Sequence, residues 1–127
     1  MEGLSNKSSG ELYKLALSWL QPATITTHSG ISQAYYDTSQ RAYQLYMNDK
    51  EATFSLLPLS KSSVINPAFV INDWGTEQLA NLYLENKKLV EGKDFEQGVI
   101  YNTEGVRSLV IWVKITATTP LNFLIKK

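Results

Sequence analysis

The sequence predicts an all-β fold: an antiparallel β-sandwich of about eight strands, immunoglobulin-like or jelly-roll-like, with one short N-terminal helix. Three observations predict it. Apolar residues alternate with polar ones in short runs, most clearly at Leu109, Ile111, Val113 and Ile115, and a two-residue period buries one face of a strand. Turn-forming residues recur between such runs, at Asn48-Asp49-Lys50, Trp74-Gly75, Asn86-Lys87 and Asn102 to Gly105, which is hairpin spacing. The run Ala68 to Ile71 is apolar on both faces, as a central strand requires.

The elements follow in order. Residues 1–10, rich in Ser, Gly, Asn and Lys, read as a linker or an added start, and the chain reads as a piece of a larger protein. Residues 11–127 form a single domain. Leu12, Leu15, Ala16 and Trp19 lie on one helical face. Ser8 with Glu11 fits a capping box and Pro22 supplies a stop, so a helix is expected over 11–20. Ala23 to Thr27 is β-branched and strand-like. Residues 29–40 are polar, contain Gly30, and read as mostly loop.

Tyr43, Leu45 and Met47 share one strand face, and Phe54 and Leu56 another. With the polar turn between them, these two runs predict a hairpin. Residues 59–64 are a polar bridge from one sheet to the other. Pro67 belongs at a strand start or an edge, because it has no N–H to donate. Residues 79–85 are expected to pair with Ala68 to Ile71 across the Trp74-Gly75 turn. Gly105 supplies the positive φ of a second hairpin loop. Thr118-Thr119-Pro120 breaks the strand, and Asn122 to Ile125 closes the domain.

Composition excludes several function classes. The chain has no cysteine, which removes disulfides, thiolate zinc sites and cysteine nucleophiles. Twelve basic residues balance 12 acidic ones, so no net field favours nucleic acid or anionic lipid. No apolar run approaches the roughly 20 residues of a helical membrane span. Neither phosphate-cradling glycine motif occurs, and no cofactor is expected.

Catalytic groups are sparse. His28 is the single histidine, and no nearby residue supplies the nucleophile and orienting carboxylate that a base requires; it reads as a surface or loop residue. Carboxylates are scattered singly, mostly in turns or beside lysines. Asp94 and Glu96 suggest calcium ligands, but the spaced acidic and glycine pattern of a calcium loop is missing, so no metal site is assigned. The chain is therefore expected not to be an enzyme.

Aromatic residues are the remaining candidates. A flat ring accepts the C–H face of a pyranose while polar neighbours bond its hydroxyls. Tyr35 and Tyr36 fall in the expected loop, Tyr46 opposite Leu45 and beside Gln44, and Trp112 opposite Leu109, Ile111 and Val113. These four are the candidate carbohydrate-binding residues. Packing is the stronger reading for Trp112, Trp74 and Trp19; for Tyr35 and Tyr36 the two readings stand even. Leu12 and Trp19 are candidates for packing against a neighbouring domain, and Trp19 could also cover Trp112.

The stretch from Arg41-Ala42-Tyr43 through Asn66-Pro67-Ala68-Phe69-Val70-Ile71-Asn72-Asp73-Trp74-Gly75, then Glu91-Gly92-Lys93-Asp94-Phe95 and Leu109 to Val113, resembles a β-sandwich module near the C-terminus of large bacterial polysaccharide-processing proteins. The resemblance covers most of the chain after Trp19. It implies a noncatalytic accessory domain of an exported protein, extracellular, periplasmic or on the cell surface. Such a domain would pack on a catalytic neighbour, bind polysaccharide weakly, or both. No nucleic-acid partner or membrane insertion is expected, and the isolated chain should be a monomer. The alternative is a protein-interaction or adhesion-type sandwich domain; a self-sufficient enzyme ranks third.

Overall fold

The computed structural model describes residues 9–127 except 61, 77, 102 and 103, and for residues 9–12 and 14 the backbone alone. Helix α1 (Ser9–Leu20) precedes twelve strands: β1 (Thr24–Ser29), β2 (Ile31–Asp37), β3 (Ala42–Met47), β4 (Glu51–Leu57), β5 (Val64–Ile65), β6 (Ala68–Asn72), β7 (Asn81–Leu84), β8 (Lys87–Lys88), β9 (Phe95–Tyr101), β10 (Arg107–Val113), β11 (Thr116–Ala117) and β12 (Leu121–Lys126). The capping box expected at Ser8 lies outside the described residues. Ten strands make two five-stranded sheets, ordered β1-β4-β12-β7-β8 and β2-β3-β6-β10-β9, and β11 and β5 form a two-stranded ribbon. The count exceeds the expected eight because β2, β5, β8 and β11 were not anticipated. All the strand pairs are antiparallel except β3 with β6, which run parallel.

Alternation places the core as expected. Tyr43, Leu45, Phe69, Ile71, Leu109, Ile111 and Val113 from the second sheet join Phe54, Leu56, Leu82, Phe123 and Ile125 from the first in one buried cluster. Four rings form its centre. Phe69 lies 5.1 Å from Phe54, 5.4 Å from Phe123 and 5.6 Å from Tyr43, centroid to centroid. Trp74 is fully buried, and its Nε1 donates to the Gln78 carbonyl at 2.7 Å.

Three expectations are corrected. First, β3 and β4 are not a hairpin: β3 pairs with β2 and β6, β4 with β1 and β12. The turn at 48–50 carries the chain between sheets. Second, residues 81–84 pair with β12 and β8 rather than with β6, so the segment after Trp74 is also a crossing. Third, residues 31–37 are strand rather than loop. A bulge between Ile31 and Gln33 breaks the register, so the core-packed residues Ile31, Ala34 and Tyr36 are not evenly spaced by two. Between β4 of the first sheet and β6 of the second, where the bridge over 59–64 was expected, the chain passes through β5 of the ribbon.

Local chemistry explains the connections. Asn66 adopts a left-handed φ of 44°, which asparagine tolerates better than most residues. There its N donates to the Ile115 carbonyl at 2.7 Å and its Oδ1 accepts from Ile115 N at 3.0 Å. Pro67 follows at the start of β6, where its carbonyl still accepts from Val113 N at 3.0 Å. Glu85 and Asn86 both have positive φ, 50° and 64°, the pairing of a type I′ hairpin turn between β7 and β8. The α1 terminus is tied down by Ser62, whose Oγ donates to the Gln21 carbonyl at 2.9 Å.

Tyr43 fills the cluster edge and donates its hydroxyl to the Ala23 carbonyl at 2.6 Å. Burial pushes its pKa well above the ordinary tyrosine range. The unfolded chain ionises near pH 10 while the folded chain holds the proton. This stabilisation is complete below pH 10 and is lost as pH rises toward the higher folded value. In a tyrosinate absorbance titration, at least one tyrosine should therefore resist ionisation beyond pH 10 and ionise together with unfolding in Tyr43-containing protein. The Tyr43→Phe variant should lose that late step.

Candidate functional site

The second sheet turns one face away from the core. On β3, Tyr43 and Leu45 point inward, so alternation sends Ala42, Gln44 and Tyr46 outward. Register extends that face across the sheet. Tyr35 of β2 is opposite Gln44, and Gln33 is opposite Tyr46. On β6, Val70 is opposite Gln44 and Asn72 opposite Tyr46. On β10, Val110 is opposite Val70 and Trp112 opposite Ala68. Glu96 and Gly98 of β9 complete the rows beside Trp112 and Val110.

The middle of this face is apolar and small, with Ala42, Val70, Val110 and Ala68 in one cluster. An amide ladder borders it. Asn72 Nδ2 donates to Gln44 Oε1 at 2.7 Å, and Gln44 Nε2 donates to Gln40 Oε1 at 2.6 Å. Gln44 is only 5% exposed, and these two bonds satisfy both ends of its amide, as burial demands. Tyr35 hydrogen-bonds to Tyr46, and that bond is the main cause of its raised pKa. Rings, amides and a small apolar floor thus share one surface.

Three of the four aromatic candidates meet there. Trp112 is 48% exposed and Tyr35 43%; Tyr46 is half-buried beside Tyr35. Tyr36 points the other way. It packs edge-on against Tyr43 at 5.0 Å, and desolvation raises its pKa. Tyr35 and Tyr36 lie on a strand, so their alternation separates them. Trp19 is not placed over Trp112 by any ring contact among the described residues; the Arg41 guanidinium lies 3.9 Å from its ring centroid. The side chain of Leu12 lies outside the described residues.

A second cluster was missed in the sequence. His28 Nε2 lies 2.8 Å from Ser55 Oγ. Ser55 Oγ donates to Asn122 Oδ1 at 2.5 Å, and Asn122 Nδ2 lies 3.1 Å from both Glu85 oxygens. Residues from β1, β4, β12 and the β7–β8 turn meet here, so no local spacing could signal it. Its direction decides its chemistry. The carboxylate of Glu85 only accepts, so Asn122 must present its NH2 to Glu85 and its carbonyl to Ser55. The single Ser55 proton is then committed to Asn122, and His28 must donate its Nε2–H to Ser55. A nucleophilic serine needs the opposite arrangement, with its proton handed to an unprotonated imidazole nitrogen. As arranged, the chain is a structural relay joining four segments.

The acidic candidates are engaged separately. Asp94 Oδ2 accepts from Val90 N at 2.8 Å, while Glu96 pairs with Lys114 at 3.3 Å. Among the described residues, no three potential metal ligands of the His, Cys, Asp or Glu type group together. A cleft under α1, lined by residues including Trp19, Tyr36, Arg41 and Asn66, has a volume of ≈ 40 Å³, enough for a few waters but not for a sugar. No helix of the described residues is long and apolar enough to cross a membrane. No protein-family description, curated protein or solved structure matches the chain.

Proposed function

We propose that this chain is a noncatalytic accessory module in which the two sheets stack as a β-sandwich, carried by an exported, glycan-active bacterial protein. Its outward β2-β3-β6-β10-β9 face is the carbohydrate-binding surface. The observation that supports this reading is that Tyr35, Tyr46 and Trp112, from three strands, share the outward side of one sheet with Gln33, Asn72 and the buried amide of Gln44. Tyr35 and Trp112 stand nearly half in water, and rings exposed on the same side of a sheet suit a partner with flat apolar faces. Weak binding is expected, because the face is open and few polar groups are free to fix orientation.

The expected result is concrete. In a titration followed by amide and indole NMR shifts, a soluble neutral polysaccharide should move the signals of Trp112, Tyr35 and Tyr46. Trp112→Ala should reduce that response at least tenfold and leave the thermal midpoint within about 3 °C, because the ring is half in water. Unmoved signals with every polysaccharide tested would overturn the carbohydrate reading.

Packing on a neighbouring domain is a second role that one observation favours. Tyr13 and Leu20 of α1 are 65% and 80% exposed, and their seven-residue spacing puts them on one helix face. An exposed apolar helix face of this kind suits docking against a catalytic domain.

A further inference from the structure

Resting on the carbohydrate reading of this face, we infer that its ligand is an internal stretch of an uncharged, extended polysaccharide spanning several sugar units, rather than a chain end, a mono- or disaccharide, or an acidic polymer.

The first argument is spacing. Trp112 is level with Ala68 by register, and Ala68 lies one step before the Phe69–Tyr43 pair, so Trp112 is level with Ala42. Tyr46 stands four residues further along β3 and two strands away. Tyr35 is level with Gln44, two residues along and three strands away. With strands about 4.8 Å apart and a rise of about 3.3 Å per residue, both tyrosines stand roughly 16 Å from Trp112. That is several times the width of one pyranose. No single sugar can reach both ends, whereas an extended chain crossing the sheet diagonally can. Between the ends the side chains are the short ones of Ala42, Val70 and Val110, buried among their neighbours, with Gly98 beside Val110 and the buried amide of Gln44 beside Val70.

The second argument is shape. The rings stand on a sheet face, and none of Tyr35, Tyr46 and Trp112 lines the clefts found among the described residues, under α1, along the 80–95 and 84–115 segments, or beside His28. A chain end is recognised by a wall that stops it. An open face grips the middle of a chain and lets both ends run on.

The third argument is charge. The five strands of this sheet contain no lysine, and their one arginine, Arg107, is in the inward register with Leu109 and Ile111. Their outward charges are Asp37 and Glu96. At the margins, Arg41 is stacked on Trp19 and Lys114 is paired with Glu96. A polymer carrying one carboxylate per sugar would meet the Asp37 carboxylate and an already neutralised Glu96–Lys114 pair, with no lysine on these strands to pair with.

The test is a length and charge series on the intact chain. Linear β-1,4-linked gluco-, manno- and xylo-oligosaccharides from disaccharide to hexasaccharide are titrated by calorimetry and NMR, beside polygalacturonate. For at least one neutral backbone the hexasaccharide should bind at least tenfold more tightly than the disaccharide. Trp112→Ala and Tyr35→Ala should each erase most of that gain, with unchanged circular dichroism as the folding control. A disaccharide binding as tightly as the hexasaccharide, or polygalacturonate binding more tightly than the neutral chains, would overturn the inference and leave the face a carbohydrate site. Silence with all ligands would overturn the carbohydrate reading itself.

Discussion

Replacing Phe69 with alanine is expected to destabilise the protein by about 3–5 kcal/mol, the range for removing a buried phenylalanine ring. Phe69 is fully buried on β6, the middle strand of the second sheet, and its ring touches Phe54 and Phe123 of the first sheet. Truncation therefore empties the junction of the two sheets, where relaxation of either one is limited by its own hydrogen-bonded ladder. Phe69→Leu retains most of the volume and should lose only about 1–2 kcal/mol, part of it the edge-on aromatic contacts. Urea unfolding would read both values. The midpoint should fall in each variant while the slope stays that of the parent, since the surface exposed on unfolding is unchanged. A loss below about 1 kcal/mol for Phe69→Ala would mean that the ring is not the joint between the sheets. Trp112, equally aromatic but half in water, is the internal contrast: its truncation should leave stability nearly untouched.

Alternation alone separates Trp112 from Leu109, Ile111 and Val113 in the sequence, but it leaves that ring's exposure open, since packing is the stronger sequence reading for it. The same rule correctly turned Tyr43, Leu45, Phe54 and Leu56 inward. What alternation cannot convey is which strand lies next to which. The turn at 48–50 and the Asp73-Trp74-Gly75 turn have hairpin chemistry, with polar residues, glycine and left-handed φ at Asp73 and Gly75. Yet both pass the chain to the other sheet. A crossing between sheets and a hairpin make the same local demands on φ and on solvent, so local residues do not distinguish them. The parallel β3–β6 pair is nonlocal, and it is what sets Tyr46 beside Asn72 and brings Trp112 onto the same face. Tyr35 reads as loop in the sequence because residues 29–40 are polar and contain Gly30, and the bulge in β2 hides the two-residue period that would have countered that reading. The His28–Ser55–Asn122–Glu85 relay was invisible for a related reason. Its members are 27 and 67 residues apart along the chain at successive contacts, and only the β1-β4-β12 pairing brings them together.

Gly30→Ala is expected to be at least as damaging as the loss of the Phe69 ring, for a reason that involves no buried apolar surface. Gly30 alone joins β1 of the first sheet to β2 of the second. Its φ is +72°, and a Cβ there would stand 1.8 Å from the Glu51 carbonyl oxygen and 3.0 Å from Ala52 Cα. Both obstacles are backbone of β4, and Ala52 is fully buried, so neither can swing aside. The Gly30 carbonyl also accepts from Asn48 N at 3.0 Å, which ties the crossing to the second passage between sheets at 48–50. Gly105→Ala isolates the conformational part. It has φ +81° but nothing within 4 Å of the added carbon, so only the left-handed strain of about 1–2 kcal/mol applies. The thermal midpoint of Gly105→Ala should fall by roughly 5–10 °C, and that of Gly30→Ala by at least twice as much or to the point where no folded protein accumulates. Equal losses in the two variants would show that β4 does not press on the crossing, and the junction between the sheets would then owe its geometry to the ring cluster alone.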